Sequence, residues 1–188
     1  MAIVLKYNDF LNESTNGLEF KILDKELMNV LIDDIYEISS RESDTNDHWK
    51  RWSKEDFLCD LPGKWKYSLV AMLGDKVVAF QINSLKTKDG FSFVHTNRLL
   101  KDRRYKDIHL FKEIYEKLFS LIRANGLTYW TCFTPFKKIK NMCVDILGAK
   151  ASTNISDFID KNVVRIGYGN KLHFDDGNSL YFLTKKLF

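Results

Sequence analysis

The sequence predicts an α/β protein, built on a mixed and mostly antiparallel sheet of six to seven strands flanked by about four helices. Three strand-like stretches follow one another with short Gly-containing turns between them, at residues 74–75 and 88–90, as in an antiparallel meander. An amphipathic helix then lies between two strand-like stretches, and such a crossover joins parallel strands. The chain of 188 residues, 45% of them hydrophobic, is long enough for one domain with a real core. We expect that domain at residues 18–188, after a peripheral arm at residues 1–17.

The N-terminal part predicts a strand and two helices. Residues 18–23 alternate between apolar and polar side chains, as a half-buried strand does. Asp24 is placed to cap a helix that continues to about Ser39, because apolar residues return every three or four positions after it. Residues 47–59 predict a shorter helix with two tryptophans, which we expect to be packing anchors.

Four strands and the amphipathic helix fill the middle of the chain. The strands are predicted at residues 66–73, 76–85, 91–99 and 127–133. The apolar residues of the helix recur at helical spacing: Ile108, Phe111, Ile114, Tyr115, Leu118 and Ile122. Asp107 is placed to cap its first turn, and Gly126 follows its end.

The C-terminal part predicts one more helix and a closing strand. Thr134 and Pro135 suit the N-cap and the first position of a helix that ends at Gly148. The closing strand is expected at residues 179–187. Residues 151–178 receive no assignment, although they include a short apolar run.

Charge narrows the possible functions only a little. There are 29 basic and 25 acidic residues, and a net charge of +4 is too mild to predict a nucleic-acid-binding protein by itself. Basic residues do form two local clusters, which are either solvated faces or anion-binding surfaces: Arg98, Lys101, Arg103, Arg104 and Lys106 in the first, and Lys137, Lys138 and Lys140 in the second.

Cysteine usage and hydropathy indicate a compartment. Cys59, Cys132 and Cys143 are odd in number and lack metal-site spacing, which is typical of free thiols in a reducing compartment. No apolar run is long enough for a membrane span, and polar residues interrupt any signal-peptide pattern. We therefore expect a cytoplasmic protein without a membrane partner and without a metal site.

The order of the predicted elements is itself informative. A strand, two helices, three antiparallel strands, a helix, a strand, a helix and a terminal strand follow one another over residues 18–187. This order resembles the GNAT superfamily of N-acetyltransferases, and the closing Tyr-Phe-Leu-Thr-Lys-Lys-Leu at residues 181–187 is similar to the final strand of that family. The resemblance implies an N-acyltransferase with acetyl-CoA as cofactor and an amine as acceptor substrate.

The resemblance also implies a cofactor-binding stretch at the start of the amphipathic helix. In GNAT proteins an Arg/Gln-x-x-Gly-x-Gly/Ala motif holds the pyrophosphate of acetyl-CoA there, through backbone amides. In one register the motif begins at Arg104 and has Asp107 and His109 in place of the two small residues; in the other it begins one residue earlier and has Lys106 and Ile108 there. Side chains at these positions obstruct the approach of a phosphate to the backbone. The candidate cofactor-binding residues are Arg103, Arg104, Lys106, Asp107, Ile108 and His109.

Two catalytic roles follow from the same resemblance. In GNAT proteins a tyrosine on the next helix is the general acid toward the CoA thiolate; its position here is Val144, which has no proton to donate. Cys143 beside it, or Tyr129 on the preceding strand, is a possible substitute. His95 is the candidate general base, with an ordinary half-buried strand histidine as the alternative.

Another function remains open. The absence of the glycines and of the tyrosine also fits a non-catalytic GNAT fold that serves as a binding or structural module with a protein partner. Leu11-Asn12-Glu13 resembles the Leu/Ile-x-Glu sites cut by the prohead proteases of tailed phages, which suggests a virion or assembly component. Nucleic-acid binding through the two basic clusters is a weaker third hypothesis.

Overall fold

The computed structural model of the protein describes residues 17–43, 52–88, 90–105, 110–134, 136–152 and 181–188. These residues form five helices and seven strands. The helices are α1 (Lys25–Ser43), α2 (Lys54–Leu58), α3 (Lys64–Tyr67), α4 (Phe111–Ala124) and α5 (Lys137–Asp145). The strands are β1 (Leu18–Ile22), β2 (Leu69–Leu73), β3 (Lys76–Lys88), β4 (Phe91–Lys101), β5 (Tyr129–Thr134), β6 (Lys150–Ser152) and β7 (Tyr181–Lys186).

The seven strands form one sheet in the order β1-β2-β3-β4-β5-β7-β6. All neighbours are antiparallel except β4 and β5, which run parallel because α4 carries the chain back between them. The predicted α/β class, the mixed and mostly antiparallel sheet, and the parallel crossover are therefore confirmed.

β4 and β5 are paired over only a short stretch. Their register runs from Val94 opposite Trp130 to Thr96 opposite Cys132. Both strands continue toward their C-terminal ends beyond this last pair without pairing with each other. A wedge-shaped gap therefore opens in the sheet beyond Thr96 and Cys132.

Helices cover both faces of the sheet. Along β2 the side chains alternate, so that Leu69 and Ala71 belong to one buried cluster and Val70 to the other. The first cluster lies under α4 and α5 and is centred on Trp130, whereas the second lies under α1 and α2 and includes Phe80. Each large apolar side chain that is fully buried in this way contributes roughly 1.5–3 kcal/mol. Both layers therefore hold β4 and β5 in place around the gap.

The segment before β2 is helical, not extended as predicted. The strand expected at residues 66–73 begins only at Leu69, after α3. The cause is the Lys64 side chain, which is fully buried and donates to the carbonyl oxygens of Phe57 and Cys59 at 2.5 and 2.6 Å. These bonds hold the segment against the end of α2. The local sequence pattern does not predict this contact.

The second helix is shorter than predicted over the described residues. Residues 44–51 lie outside them, and α2 begins at Lys54. Ser53 accepts from the backbone N–H of Asp56, and the Asp56 carboxylate accepts from the backbone N–H of Ser53. This reciprocal capping box sets the start of α2.

The starts of α4 and α5 also differ from the predicted ones. α4 begins at Phe111, after Ile108 and its expected cap Asp107, which lie outside the described residues. α5 begins at Lys137 rather than at Pro135. Neither helix has a side-chain hydrogen bond at its N-cap. Thr134, the predicted cap of α5, accepts from the backbone N–H of Phe136 at 3.2 Å, one position before the helix begins.

Two further predictions concern the ends of the chain. The arm at residues 1–17 lies outside the described residues except for Gly17, and so does the apolar run within residues 153–180. β6 is an addition to the predicted strands, and it pairs with β7 at the edge of the sheet. None of the described helices is long and apolar enough to cross a membrane.

Candidate active site

A cavity of about 550 Å³ opens where β4 and β5 separate. β4 lines it from Thr96 to Lys101, β5 lines it from Cys132 to Thr134, and Phe136 follows. The first turns of α4 and one face of α5 close its sides with apolar side chains: Leu110, Phe111, Ile114, Ile139, Met142 and Ile146. A concave, mostly apolar space of this size is typical of a site for a small ligand or a cofactor arm.

β4 carries a β-bulge beside this cavity. Arg98 pairs with Ile82 and Thr96 pairs with Asn83, so Asn97 is an extra residue without an opposite partner on β3. Asn97 lines the cavity, and so does the rest of the strand after it. On its β5 side this stretch borders the cavity rather than a paired strand of the described chain. Its backbone polar groups are therefore placed to pair with amide groups of an extended ligand.

Basic side chains line the cavity where β4 ends and α4 begins. Lys101 and Arg103 follow the bulge, and Lys112 belongs to the first turn of α4. Lys112 also lies 3.6 Å from Glu116, in an exposed pair that holds it only weakly. We call this end of the cavity, lined by the three cationic side chains, the basic mouth; cationic side chains suit an anionic ligand group.

Arg104, the neighbour of Arg103, has a different position. Its Nε and one terminal nitrogen donate to Asp102 Oδ2 at 2.9 and 2.7 Å, and its backbone N–H donates to Asp102 Oδ1 at 2.9 Å. Hydrogen bonding to the Asp102 carboxylate raises the pKa of Arg104. Arg104 also lies 3.8 Å from Glu37 of α1 and is not among the side chains that line the cavity. Of the two predicted arginines, only Arg103 reaches the cavity.

Asp102 organises this turn. Its side chain is fully buried, and Arg41 of α1 lies 3.5 Å from Oδ2, the same oxygen that Arg104 contacts. Burial raises the pKa of Asp102, but the hydrogen bonds from Arg104 and the charge of Arg41 lower it more, so the carboxylate stays ionised. The buried charge thus fixes the turn that presents Arg103 to the cavity.

At the inner end of the cavity a buried polar cluster surrounds Thr96. Trp130 Nε1 donates to Thr96 Oγ1 at 2.8 Å, and Gln81 Nε2 donates to the same oxygen at 3.2 Å. Thr96 Oγ1 in turn donates to Asn83 Oδ1 at 2.7 Å. Because a hydroxyl has one hydrogen and two lone pairs, Thr96 is fully satisfied by these three bonds.

Tyr115 of α4 reaches into the same cluster. It lines the cavity, is only 2% exposed, and has its hydroxyl close to the side chains of Gln81 and Thr96. Burial, assisted by the neighbouring Cys132 and Cys143, raises the pKa of Tyr115 well above its usual value of 10.0. The hydroxyl is therefore protonated at neutral pH. We call Thr96, Cys132 and Tyr115, which line the cavity beside the last β4–β5 pair, the apex.

Comparison with known proteins identifies this architecture. The sequence matches no family model and no curated protein. Among solved structures, ribosomal-protein-S18-alanine N-acetyltransferase from Escherichia coli is 14% identical, with a TM-score of 0.62 over 90% of this chain and 94% of that one. A GNAT-family acetyltransferase from Streptococcus pneumoniae is 10% identical, with a TM-score of 0.61 over 90% of this chain and 99% of that one. N-acetylglutamate synthase from Neisseria gonorrhoeae, complexed with coenzyme A and N-acetyl-glutamate, is 11% identical, with a TM-score of 0.65 over 93% of this chain and 36% of that one.

The chain has the GNAT fold. The resemblance predicted from the order of the elements is thus confirmed for the fold. Sequence identities this low show only a shared fold.

In this GNAT fold, His95 lies away from the cavity. It alternates with Val94 and Thr96, so its side chain is on the opposite face of β4 from α4, and it is only 3% exposed. Its Nδ1 is 2.8 Å from Thr131 Oγ1. Burial and the charge of Lys86 lower the pKa of His95 to about 3. A neutral, weakly basic imidazole outside the cavity does not support the predicted role as general base.

Tyr129 is also distant from the cavity of the GNAT fold. It begins β5, whereas β5 lines the cavity only from Cys132 onward. Its ring packs edge-to-face on Phe91, with the centroids 5.1 Å apart. This position does not support the predicted role as general acid.

α5, which carries the general-acid tyrosine in the family resemblance, offers the cavity no proton donor among its described residues. Its cavity-lining side chains are Ile139 and Met142, followed by Ile146 at its end. Val144, the expected position of the tyrosine, packs against the core. Cys143 is fully buried in the same core and does not line the cavity.

Other predicted site residues lie outside the described part of the chain. Lys106, Asp107, Ile108 and His109 belong to this group, so a pyrophosphate site at these residues stays a prediction. The described residues contain no cluster of His, Cys, Asp and Glu that could hold a metal ion.

Tyr115 is the site residue that the sequence alone did not single out. In the sequence its ring fits the apolar periodicity of the α4 face, so the pattern predicts a packing role for it. The signal available was a single hydroxyl on an otherwise apolar helical stripe, which has meaning only once the position of the cavity is known.

Proposed function

We propose that the protein is a CoA-dependent N-acyltransferase that transfers an acyl group to an amine. The observation that carries the proposal is the gap between β4 and β5, which is apolar inside and basic at its mouth. Structures of similar fold, such as N-acetylglutamate synthase and the NatC complex, have been solved with coenzyme A bound. The free thiols of all three cysteines fit a reducing compartment, so we infer a cytoplasmic enzyme.

The residues of the cavity fit acetyl-CoA in two respects. The phosphate groups of the cofactor suit the basic mouth, where Lys101, Arg103 and Lys112 would hold them. Its amide-containing arm suits the stretch of β4 after Thr96, whose backbone borders the cavity. When bound, the cofactor supplies a thioester, an acyl group activated toward an amine. Four further contacts are proposed between Arg103 and Lys112 of the basic mouth: Lys106, Asp107, Ile108 and His109.

The protein's own contribution is to exclude water and to orient the reacting groups. Apolar side chains of α4 and α5 wall the cavity, so competing hydrolysis is suppressed. The bulge at Asn97 directs β4 away from β5 at the point where the thioester would lie. Holding two reactants in such a fixed geometry can account for a large part of a rate acceleration.

Calorimetry with CoA and acetyl-CoA tests this proposal. We expect saturable binding, because a preformed apolar cleft and three cations complement the ligand. Arg103→Glu should weaken binding by roughly tenfold or more, since it removes one charge-assisted contact and adds repulsion. Arg123→Glu is the matched control, because Arg123 is an exposed arginine in the last turn of α4 and does not line the cavity. Absence of binding at about 1 mM ligand, a dissociation free energy near 4 kcal/mol, would exclude the function.

A second candidate function is a non-catalytic binding or structural module with a protein partner. The observation in its favour is that the α5 side chains toward the cavity are all apolar, including Ile146, which is 47% exposed. Under this hypothesis CoA does not bind, no amine is acylated, and the protein is recovered with a stable partner in a pull-down. A role in a phage particle further requires cleavage after Glu13, which mass spectrometry of the mature chain would reveal.

A further inference from the structure

We propose that Tyr115 is the proton donor to the leaving thiolate and takes the place of the tyrosine that α5 lacks. This inference rests on the proposed function, and it names a residue of α4, not of α5, for the step. Tyr115 brings a hydroxyl to the end of the cavity where β4 and β5 stop pairing.

The strand register supports this position. Thr96 and Cys132 form the last residue pair between β4 and β5, and both line the cavity. Tyr115 lines the cavity together with them, and its hydroxyl lies close to the side chains of both. A ligand arm that enters from the basic mouth and runs along β4 therefore ends against the apex. The sulfur of a thioester, which is at the end of such an arm, would meet the Tyr115 hydroxyl there.

The other two apex residues are poorer donors. Thr96 already uses its only hydroxyl hydrogen toward Asn83 Oδ1 and accepts from Trp130. The Cys132 thiol is already engaged in a hydrogen bond with Cys143. A thiol is also a weaker hydrogen-bond donor than a phenol. Tyr115 is thus the apex side chain best suited to donate a proton.

The proton balance of the step is simple. The amine nitrogen forms a bond to the acyl carbon, and the C–S bond breaks with its electron pair going to sulfur. The Tyr115 hydroxyl gives its proton to that sulfur, so the product leaves as a thiol. The nitrogen releases one proton to solvent as the amide forms, and Tyr115 takes one proton back. A thiolate would be poorly solvated in a buried, apolar cavity, which is why a nearby donor matters.

A binding experiment tests the contact without requiring turnover. Calorimetry compares CoA with desulfo-CoA, which lacks the sulfur atom, in the wild-type protein, in Tyr115→Phe and in the control Tyr36→Phe. Tyr36 is a partly exposed tyrosine of α1 that does not line the cavity. We expect the wild type and the control to bind CoA about three- to tenfold tighter than desulfo-CoA, as one hydrogen bond would give. Tyr115→Phe should bind both ligands equally.

Kinetics separates proton donation from a merely structural role. With an acceptor found among polyamines and peptide N-termini, Tyr115→Phe should lower kcat by about 10²–10⁴-fold, as for the loss of a general acid. KM for acetyl-CoA should change far less, because the apolar walls and the basic mouth are intact. An unchanged kcat in Tyr115→Phe would overturn the inference.

The failure of this inference and the failure of the proposed function are distinguishable. Equal affinity of the wild type for CoA and desulfo-CoA would reject the Tyr115 contact and leave the acyltransferase proposal standing. That result needs no variant, so it does not depend on how Tyr115→Phe folds. A wild-type protein that binds neither ligand would reject the proposed function and this inference together.

Discussion

His95 and Thr96 are adjacent residues of β4, and both are buried and hydrogen-bonded to β5, yet only one belongs to the cavity. Thr96 points toward α4, accepts from Trp130 and lines the cavity at its apex. His95 points to the other face, where its Nδ1 meets Thr131 and its ring packs on Phe133. Alternation of side chains along a strand produces this difference.

The comparison shows that chemical type alone does not locate a site. His95 has the side chain most often used for proton transfer near neutral pH, but it lies on the wrong face. Thr96 and Tyr115 are less suggestive residue types, but the strand register brings them to the cavity. The role of a residue on β4 therefore depends first on its face and its distance from the last β4–β5 pair. Three experiments test how different the two faces are.

The largest expected effect on stability comes from two single variants, Thr96→Val and Thr131→Val, each of which removes one hydroxyl. Thr96→Val leaves Trp130 Nε1 and Asn83 Oδ1 buried without their partner, and Gln81 loses a bond as well. We expect a loss of about 3–5 kcal/mol in the free energy of unfolding, since each buried unsatisfied group costs about 1–3 kcal/mol.

Thr131→Val is the matched variant on the other face. It removes only the partner of His95 Nδ1, so the expected loss is about 1–2 kcal/mol. Urea unfolding followed by tryptophan fluorescence measures both variants. Equal losses would mean that the hydrogen bonds of Thr96 stabilise the fold no more than the single contact between His95 and Thr131.

The next effect concerns the contribution of His95 to the pH dependence of the unfolding free energy. Its pKa of about 3 in the folded protein lies below the ordinary 6.5, so folding favours the neutral ring. This stability is complete above pH 6.5 and is lost as the pH falls toward the folded value, because the unfolded chain takes up the proton first. The slope in that window is about 1.4 kcal/mol per pH unit.

His95→Gln isolates this contribution from those of the other histidines. The difference in unfolding free energy between wild type and variant should shrink between pH 6.5 and about pH 4.5, by roughly 2–3 kcal/mol. The His95 ring should also show no NMR titration above about pH 4.5. A midpoint near 6.5 would show that the ring is exposed and that the two faces of β4 are less different than described.

The smallest effect concerns Asp102, a buried titratable group whose charged form is stabilised. Its folded pKa is below 3.8, so its contribution is present above that value and is lost as the pH falls through the folded pKa. Asp102→Asn should cost about 1–2 kcal/mol at pH 7, because the hydrogen bonds from Arg104 lose their charge assistance.

The acid response of Asp102→Asn separates it from His95. The variant should lose the part of the stability change below pH 3.8 that Asp102 contributes, and keep the change between pH 6.5 and 4.5. If Asp102→Asn instead removes the change in unfolding free energy between pH 6.5 and 4.5, that change is not caused by His95.

Much of the fold was predictable because its signals are local. Glycine-containing turns, period-two strands and the stripe of apolar residues on α4 each lie within one segment of the chain. α3 was not predictable, because it depends on bonds from Lys64 to carbonyls of a different helix and its C-cap. The site was predictable only in part. Arg103 was a candidate together with Arg104, and the buried Asp102 separates the two.

By itself, the sequence determined the α/β class, the antiparallel meander, the parallel crossover and the basic cluster before α4. These properties depend on spacing within short segments, where period and turn chemistry act directly. Only the tertiary structure decided that His95 and Tyr129 lie away from the cavity and that Tyr115 lies in it. The reason is that the cavity exists only where β4 and β5 stop pairing, and the position of that last pair depends on long-range packing against both helical layers.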